Sequence, residues 1–482
     1  MRITLSMLAF GAIVVGGTPA VAGVGEQVAK LMPVDAQADD WFGVSVALGG
    51  GRALVGAYRD DARGVDSGSA YLFDASTGAE QRRLVASDGS ASDGFGFSVA
   101  LEANTALVGA WKDDPRGVDS GAAYLFNAAT GQQLRKLVPN DGAAGDQFGV
   151  SVALKDNYAL VGSRYDDVAG ADSGSAYLFN ATTGAQIRRL APSDAAAGDQ
   201  FGFSVAMDNG VALVGSYLSN ARAADSGAAY LFDVATGQQL RKLVPNDGTL
   251  GDLFGYSVAL DDGVALVSAA LDTPNGYQSG AAYLFNAATG QQLGKLIPDD
   301  GGPEDFFGWS VALDDGVAMI SSYWEDQYGA NAGAAYFFDV ATRQQLLKIT
   351  ADDASAGAWF GTSVAMENGR AIIGALREGE KGVDAGAAYL FQTSPDPGDF
   401  DGDGVVGYSD YDLWREQYGR TGGPEADGNG DGVVNAADYT VWRDAMDAGA
   451  TAVPEPVSCT LVMVMSLLVG QVGLRQHLSR RG

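Results

Sequence analysis

Histidine and cysteine are nearly absent from this sequence of 482 residues. The one histidine, His477, and the one cysteine, Cys459, both lie near the C-terminus. A single cysteine excludes an intramolecular disulfide. The rest of the chain also has no residues for Ser-His-Asp or Cys-His catalysis or for a histidine-ligated zinc site. Paired carboxylates of the kind that glycosidases use remain possible.

Basic residues are also scarce. The chain has 30 Lys and Arg against 60 Asp and Glu, which gives a formal net charge of −30. Nucleic-acid binding needs concentrated Lys and Arg that contact phosphates, so we expect no nucleic-acid partner. We expect the 68 glycines to belong to turns, and we find no phosphate-binding glycine loop between a strand and a helix. Such an acidic balance is typical of a soluble protein.

A motif returns seven times at a constant spacing of 53 residues. Phe-Gly begins at Phe42, Phe95, Phe148, Phe201, Phe254, Phe307 and Phe360. Tyr-Leu-Phe keeps the same spacing from Tyr71 to Tyr389, with Tyr-Phe-Phe at Tyr336. Self-similarity at a fixed period indicates a repeat architecture. Seven copies without length drift favour a closed ring over an open solenoid.

Each repeat contains four short apolar runs, which we name strands A to D in chain order. In the second copy they cover 97–101, 106–110, 122–126 and 133–138. The runs are bounded by Gly, Asn and Asp, as strands usually are. Pairs such as Asn209-Gly210 between strands A and B fit a two-residue hairpin, because both residues accept positive φ. The sequence therefore predicts an all-β fold, a seven-bladed β-propeller over residues 27–392.

The two ends of the repeat array are complementary. The segment 28–33 matches the strand D segment 134–139, although it precedes the first strand A. The seventh copy ends after its strand C at Phe391. We therefore expect the N-terminal strand to complete the seventh blade. Cations such as Arg82-Arg83 on strand D are expected to guard the outer edge against strand pairing.

The long B–C and D–A loops are predicted to share one rim of the ring. Binding residues usually lie on loops held by a rigid scaffold. Acidic and aromatic residues alternate there, which suits a glycan or a basic partner. The alternative is that they are solvated turns with packed aromatics. The candidate ligand-binding residues are Tyr58, Asp60, Trp111, Asp113, Tyr165, Asp166, Tyr217, Tyr323 and Trp324.

Two polar residues recur in all seven copies at the 53-residue spacing, one series beginning with Asp35 and the other with Ser45. A residue repeated in every blade is expected to do the same structural work each time. Asp can cap a turn through its own backbone, and the Ser hydroxyl can bond a neighbouring blade.

The repeat resembles the FG-GAP repeat, known from the integrin α-subunit propeller and from bacterial surface proteins. The resemblance is carried by Phe42-Gly43 followed one strand later by Val55-Gly56-Ala57. It implies a seven-bladed propeller with an extracellular binding or adhesion role. Calcium-binding members carry an Asp-rich loop between the first two strands. That connection is a minimal turn here, so the resemblance implies no calcium in the propeller.

Two segments after the propeller fit a twelve-residue calcium loop. Such a loop places oxygen ligands at positions 1, 3, 5 and 12, a glycine at 6 and a backbone carbonyl at 7. The expected ligands, for two Ca²⁺ ions, are Asp399, Asp401, Asp403, Val405 and Asp410 in the first loop, and Asp427, Asn429, Asp431, Val433, Asn435 and Asp438 in the second.

Each loop leads into a helix-like stretch, at 411–414 and at 439–442. Tandem loops of this kind resemble a type I dockerin domain, here over 399–447 after a linker at 393–398. The resemblance implies a cohesin-like partner. The recognition positions carry Tyr408-Ser409 and Ala436-Ala437 rather than the Ser/Thr pairs of cellulosomal members.

Both ends of the chain resemble targeting signals. Residues 1–22 have a charged start, an apolar run and an Ala-Val-Ala end, so we expect a secretory signal peptide cleaved after Ala22. Pro454, Glu455 and Pro456 precede 18 uncharged residues and then a basic end, which suits a membrane span. The segment 453–482 resembles the PEP-CTERM sorting signal. That implies an exosortase-type processing enzyme and transient membrane anchoring.

Together these features predict a non-catalytic binding or adhesion protein of the cell surface or extracellular matrix. A polysaccharide-active enzyme that uses loop carboxylates is one alternative. A purely structural envelope protein is the other.

Overall fold

The computed structural model describes residues 24–393, 398–401, 406–421, 426–428 and 432–449. They fall into two compact units, one over Gly25–Ser394 and one that holds the described residues from 398 onward. The predicted cleavage site at Ala22 and the predicted sorting signal at Pro454, Glu455 and Pro456 lie outside these ranges. Within them, neither helix is long and apolar enough to cross a membrane.

The first unit is a seven-bladed β-propeller built from seven four-stranded antiparallel sheets. Blades 1 to 3 consist of β2–β5 (Phe42–Gly49, Arg52–Ala57, Ser69–Asp74, Glu80–Leu84), β6–β9 (Phe95–Glu102, Thr105–Ala110, Ala122–Asn127, Gln133–Leu137) and β10–β13 (Phe148–Lys155, Tyr158–Ser163, Ser175–Asn180, Gln186–Leu190). Blades 4 to 6 consist of β14–β17 (Val205–Asp208, Val211–Ser216, Ala228–Asp233, Gln239–Leu243), β18–β21 (Phe254–Asp261, Val264–Ala269, Ala281–Asn286, Gln292–Leu296) and β22–β25 (Phe307–Asp314, Val317–Ser322, Ala334–Asp339, Gln345–Ile349). Blade 7 consists of β26–β28 (Phe360–Glu367, Arg370–Ala375, Ala387–Gln392) and β1 (Gln27–Leu31).

The N-terminal strand closes the ring, as predicted. Strand β1 pairs antiparallel with β28, with Lys30 opposite Tyr389 and Leu31 opposite Ala388. The seventh sheet therefore takes its outermost strand from the start of the chain and its other three from the end of the array.

The predicted turns between strands A and B are also confirmed. Asn209 and Gly210 have φ values of 46° and 73°, and they join β14 to β15 as a two-residue hairpin. Between strands C and D, the Asp74 carboxylate accepts hydrogen bonds from the backbone N–H of Thr77 at 2.9 Å and from its hydroxyl at 3.0 Å. This side-chain contact fixes the turn.

The Phe-Gly motif is explained by the contact between adjacent blades. Phe95 is buried and meets the rings of Tyr124 and Phe126 edge-on at 5.6 and 5.7 Å, and the same trio recurs in every blade. A Cβ added to Gly56 would lie 1.9 Å from the carbonyl oxygen of Gly96 in the next blade. The backbones of neighbouring blades touch at these positions, which favours glycine, although Ser268 and Ser321 replace the second glycine in blades 5 and 6.

The Ser45 position links neighbouring blades, as predicted. The hydroxyl of Ser98 donates to the carbonyl of Gly149 at 2.8 Å. The hydroxyl of Ser45 accepts from the backbone N–H of Val99 at 3.0 Å. These bonds join the innermost strands around the axis.

The second unit contains two helices, α1 (Tyr408–Gln417) and α2 (Ala436–Gly449). Its small core is mostly aromatic and is formed by Phe400, Trp414, Ala426, Val434, Tyr439 and Trp442.

Candidate functional site

A partly buried polar cluster lies between the long-loop rim and strand D of blade 2. The hydroxyl of Tyr124, whose side chain is buried, donates to Asp88 at 3.0 Å and also to Asp113. Lys136 on strand D forms ion pairs with the same two carboxylates, at 2.7 and 2.8 Å. One tyrosine and one cation thus hold two acidic loops against the sheet.

The cluster recurs around the ring with few substitutions. In blade 1 its members are Asp35, Asp60, Tyr71 and Arg83. The fourth blade carries Ser219 where the others have the second acid. Among the described residues, neither Tyr230 in that blade nor Tyr336 in the sixth has a hydrogen-bond partner. The Asp35 position is structural, as predicted, but it binds a tyrosine and a cation rather than capping its own turn.

The turn cap is another acid, five residues further along. Asp40 accepts the backbone N–H of Gln37 at 2.6 Å, and Asp93 accepts that of Ser90 at 2.7 Å. Burial raises the pKa of both carboxyls to about 6, although these hydrogen bonds lower it. The same position carries a buried Asp in six of the seven copies and Ala358 in the last.

The acidic members of the predicted rim site are not on the surface. Asp60, Asp113 and Asp166 are buried. Asp166, for example, accepts the hydroxyls of Ser175 and Tyr177, each at 2.6 Å. Because these carboxylates are bound inside the polar clusters, they hold the loops in place instead of facing a ligand.

The strand D cations make specific contacts in addition to their expected role as edge guards. The second of each pair enters the polar cluster, as Arg83 does. The first reaches the next blade, where Arg82 donates to the carbonyl of Ala129 at 3.0 Å. Both cations therefore bind loops and neighbouring blades.

The predicted aromatic residues lie at the axial mouth of the long-loop rim. Tyr58, Trp111, Tyr165, Tyr217 and Trp324 are half-buried, and Tyr323 is buried. Most of them contact aromatic rings that were not among the predicted ligand-binding residues. These rings are Phe97, Phe203, Tyr256, Trp309 and Trp359.

Four of these five rings share one sequence position. Phe97, Phe203, Tyr256 and Trp309 each follow a Phe-Gly pair and precede Ser-Val-Ala. The neighbouring positions barely change between copies, whereas this one varies from Val and Thr to Trp. The four rings line an axial cavity of about 250 Å³, together with the recurring serines. Variation inside an otherwise constant strand was the signal that could have found them.

The first predicted calcium loop brings three carboxylates together. Asp399, Asp401 and Asp410 each offer an oxygen within 4.8 Å of the others. Asp399 and Asp410 are buried. Asp410 also accepts the backbone N–H groups of Asp401 at 3.0 Å and Gly407 at 2.7 Å, which ties the end of the loop to its start.

The second loop repeats part of this geometry. Asp438 accepts the backbone N–H of Asn435 at 2.7 Å, and Asp427 accepts that of Gly432 at 2.8 Å. Asn435 Nδ2 donates to the carbonyl of Val433 at 2.9 Å. The predicted ligands Asp403, Val405, Asn429 and Asp431 lie outside the described residues.

Two tryptophans connect the loops reciprocally. Trp442 in α2 donates from Nε1 to the carbonyl of Gly407 in the first loop at 2.7 Å. Trp414 in α1 donates to the carbonyl of Asn435 in the second loop at 2.8 Å. Each helix thus supports the loop of the other repeat.

Comparison with known proteins identifies the repeat. The FG-GAP repeat family matches seven consecutive segments, residues 26–73, 79–126, 132–179, 185–232, 238–285, 291–338 and 344–391. They span more than half of the chain, which therefore belongs to the FG-GAP repeat family. No curated protein matches it. One similar solved structure is the crystal structure of the computationally designed Ika8 protein, with a TM-score of 0.45 and 15% identity over 76% of this chain and 100% of that one.

Proposed function

We propose that the protein is a non-catalytic extracellular or cell-surface binding protein whose propeller presents its ligand site on the long-loop rim. Membership of the FG-GAP family supports this, because that fold is compatible with extracellular binding and adhesion. The observation that carries the proposal is the group of aromatic rings at the axial mouth, where Phe203, Tyr256 and Trp309 line a cavity. Aromatic cavities with a few polar groups are the usual form of a ligand site.

The second unit is proposed to attach the protein to a partner in a calcium-dependent manner. Asp399, Asp401 and Asp410 fit a Ca²⁺ ion, since hard cations prefer several oxygens and these three carboxylates converge. Asp403 and the carbonyl of Val405 would complete the first site. The second ion would be held by Asp427, Asn429, Asp431, Val433, Asn435 and Asp438. Bound calcium would neutralise the carboxylates and stabilise both loops.

The proposed location follows from the sequence patterns at the two ends. A signal peptide over 1–22 would direct export, and the segment 453–482 would anchor the protein until an exosortase-type enzyme removes it. The protein would then remain at the cell surface or enter the extracellular matrix. The partner of the calcium module would be a cohesin-like protein.

A polysaccharide-active enzyme is the second candidate. It is favoured by the buried carboxyls with a pKa of about 6, such as Asp40 and Asp93, since perturbed carboxyls occur at catalytic sites. Against it stands their repetition in six blades, each with the same backbone hydrogen bond. Incubating the full chain with candidate polysaccharides and measuring new reducing ends tests this function directly.

Affinity capture tests the binding proposal. The full chain would be immobilised and exposed to the extracellular fraction of its host, once with calcium and once with a chelator. We expect one ligand that is retained in both conditions, bound by the propeller, and one that is released by the chelator, bound by the calcium module. Two matched variants assign them, Trp309→Ala for the propeller and Asp410→Asn for the first loop. Capture of neither ligand would contradict the proposal and favour a structural envelope role.

A further inference from the structure

Cations without carboxylate partners lie on one side of the axial mouth. Arg59, Lys112 and Arg164 lie within the first two residues of the B–C loops of blades 1, 2 and 3. No acid lies within salt-bridge distance of them in the ranges that the structure describes, whereas Lys136 and its counterparts on the other D strands are all paired. In a chain with a net charge of −30, three cations without a carboxylate partner are unusual, and we name these three residues the basic sector.

These cations lie on aromatic rings that form the wall of the mouth. The Arg59 guanidinium is 3.8 Å from the centre of the Trp41 ring, and Lys112 Nζ is 4.5 Å from that of Trp111. Arg164 lies near the rings of both Trp111 and Phe203, at 5.6 and 5.7 Å. Cation–π contacts hold the charges in place and leave them unneutralised by any anion.

One exposed acid in each of these loops accepts a hydrogen bond from its own loop. Asp61, Asp114 and Asp167 follow the cations in the chain, and each carboxylate accepts a backbone N–H five residues further on, at 2.9, 2.7 and 2.8 Å. These hydrogen bonds hold the acids in their own loops, where they keep their charge but form no ion pair with the three cations.

The other side of the mouth is an aromatic sector, where Arg377, 4.6 Å from the centre of the Trp359 ring, is paired with Asp384 at 3.0 Å. Consecutive ring centres are 5.1 Å apart between Phe203 and Tyr256 and 4.8 Å apart between Tyr256 and Trp309. The series continues at 4.2 Å from Trp309 to Tyr323 and at 5.4 Å from Tyr323 to Trp359. The rings run from blade 4 to blade 7, opposite the basic sector of blades 1 to 3.

We propose that this mouth binds an acidic polysaccharide, an inference that rests on the proposed binding function and names the class of its ligand. Sugar rings present faces of C–H groups that stack on Tyr and Trp, and uronic-acid carboxylates pair with Arg and Lys. A basic partner would meet three cations, and a neutral glycan would leave them unused. The axial cavity of about 250 Å³ is smaller than most ligand pockets, which have roughly 300–1,000 Å³, so it takes a single sugar ring while the chain crosses the rim.

The net charge of the protein does not prevent such binding. At physiological ionic strength the Debye length is about 8 Å, so distant acids on the surface are screened. Contacts between Arg164 or Lys112 and a bound carboxylate are shorter than this length and persist. Affinity for an acidic chain should therefore survive physiological salt, at which the repulsion from the rest of the surface is weakened.

Calorimetric titration of the full chain with three polymers tests the proposal. Polygalacturonate is the acidic probe, dextran the neutral one and poly-L-lysine the basic one. We expect binding of polygalacturonate, at least tenfold weaker binding of dextran, and no binding to the mouth by poly-L-lysine. Trp309→Ala should weaken polygalacturonate binding at least tenfold, and Trp309→Phe, which keeps a ring, should restore most of it.

Charge variants identify the basic sector. The double variant Lys112→Gln/Arg164→Gln should abolish the preference for polygalacturonate over dextran. The control is the double variant Arg82→Gln/Arg135→Gln, which removes the same charge from the outer face. It should leave the preference for polygalacturonate unchanged. Thermal unfolding of each variant shows whether the ring is intact.

Three results would overturn the proposal. Polygalacturonate could fail to bind, or it could bind equally well to the mouth variants. The third result is that Trp309→Ala weakens the binding of poly-L-lysine and leaves that of polygalacturonate unchanged. If the host fraction still supplies a calcium-independent ligand in any of these cases, the proposed binding function stands and only the ligand class is wrong. If it supplies none, both fail.

Discussion

Lys30 in the first strand lies 2.6 Å from the Asp353 carboxylate, 323 residues further along the chain. The same ammonium group is 3.2 Å from Glu378 and 2.9 Å from Glu380. In the other six blades, the corresponding cation comes from the blade's own strand D. Lys30 therefore completes the polar cluster of blade 7 and occupies the space among three carboxylates that could otherwise gather round a metal ion.

Replacing Lys30 by Met should destabilise the ring. Burial lowers the pKa of Lys30, but hydrogen bonds to Asp353 and Glu380 outweigh it and raise the pKa overall. Without the cation, three carboxylates repel one another beside the closing strand. Because Asp353 is half exposed, we expect a loss of about 1–3 kcal/mol, measured by urea unfolding. Lys381→Met, on an exposed loop residue, is the matched control. Equal stability of the two variants would contradict the role of Lys30 in closure.

The tyrosine clusters predict different effects in different blades. Tyr124→Phe removes the donor to Asp88 and Asp113 and should lower the free energy of unfolding by about 1–3 kcal/mol. Tyr230→Phe should cost less, because its hydroxyl has no acceptor in the described part of the chain. Ser219→Asp should raise stability by supplying the acid that the other blades have. If Tyr230→Phe proves as harmful as Tyr124→Phe, the hydrogen bonds to the acids are not what stabilises the cluster.

The sequence was sufficient for features that depend on local chemistry. The hairpin at Asn209-Gly210 needs two residues that accept positive φ, and the match of 28–33 to 134–139 revealed the closing strand. The role of Asp35 could not be predicted in the same way, because its partner Tyr71 lies 36 residues away. The ring contacts of Tyr256 were hidden for the same reason, since they form across blades. Contacts around the axis depend on the closed geometry of the ring.

Acidification should stabilise the propeller before it destabilises it. Burial raises the pKa of Asp40, Asp93, Asp146 and Asp305 from 3.8 to about 6. A carboxyl whose pKa is higher in the folded than in the unfolded chain stabilises the fold fully at a pH below its unfolded pKa. This stabilisation is lost as the pH rises through the folded pKa of about 6. The free energy of unfolding should therefore fall between about pH 4 and pH 7, by at most about 2–3 kcal/mol per carboxyl.

Other carboxyls determine the pH below which the free energy of unfolding falls again. Although burial opposes it, hydrogen bonds and ion pairs with Lys136 and Lys242 lower the pKa of Asp88 and Asp194, so their stabilisation is lost only as the pH falls below 3.8. Thermal unfolding across pH 3 to 8 should show a maximum near pH 4–5. Asp93→Asn keeps an acceptor for Ser90 and should flatten the slope above pH 4. An unchanged slope in this variant would exclude Asp93 as a source.

Removing one calcium ligand should separate the two proposed sites. Asp410 is buried and accepts two backbone N–H groups, so Asp410→Asn keeps an acceptor but loses the charge that a cation requires. Calorimetric titration should show two calcium ions per chain for the native protein and one for this variant. Asp412→Asn, an exposed change on α1, is the control and should leave both sites. Two sites in Asp410→Asn would contradict the assignment.

The reciprocal tryptophans predict crossed effects on these loops. Trp442 lies in the second repeat but donates to Gly407 in the first, so Trp442→Phe should weaken calcium binding at the first loop more than at the second. Trp414→Phe should do the reverse, because its acceptor is Asn435. The backbone amides of Gly407 and Asn435, followed by NMR during a calcium titration, report each loop separately. If each variant mainly affects the loop of its own repeat, the tryptophans stabilise their own helices and do not couple the two repeats. A crossed pattern would mean that neither loop binds calcium independently of the helix that follows the other.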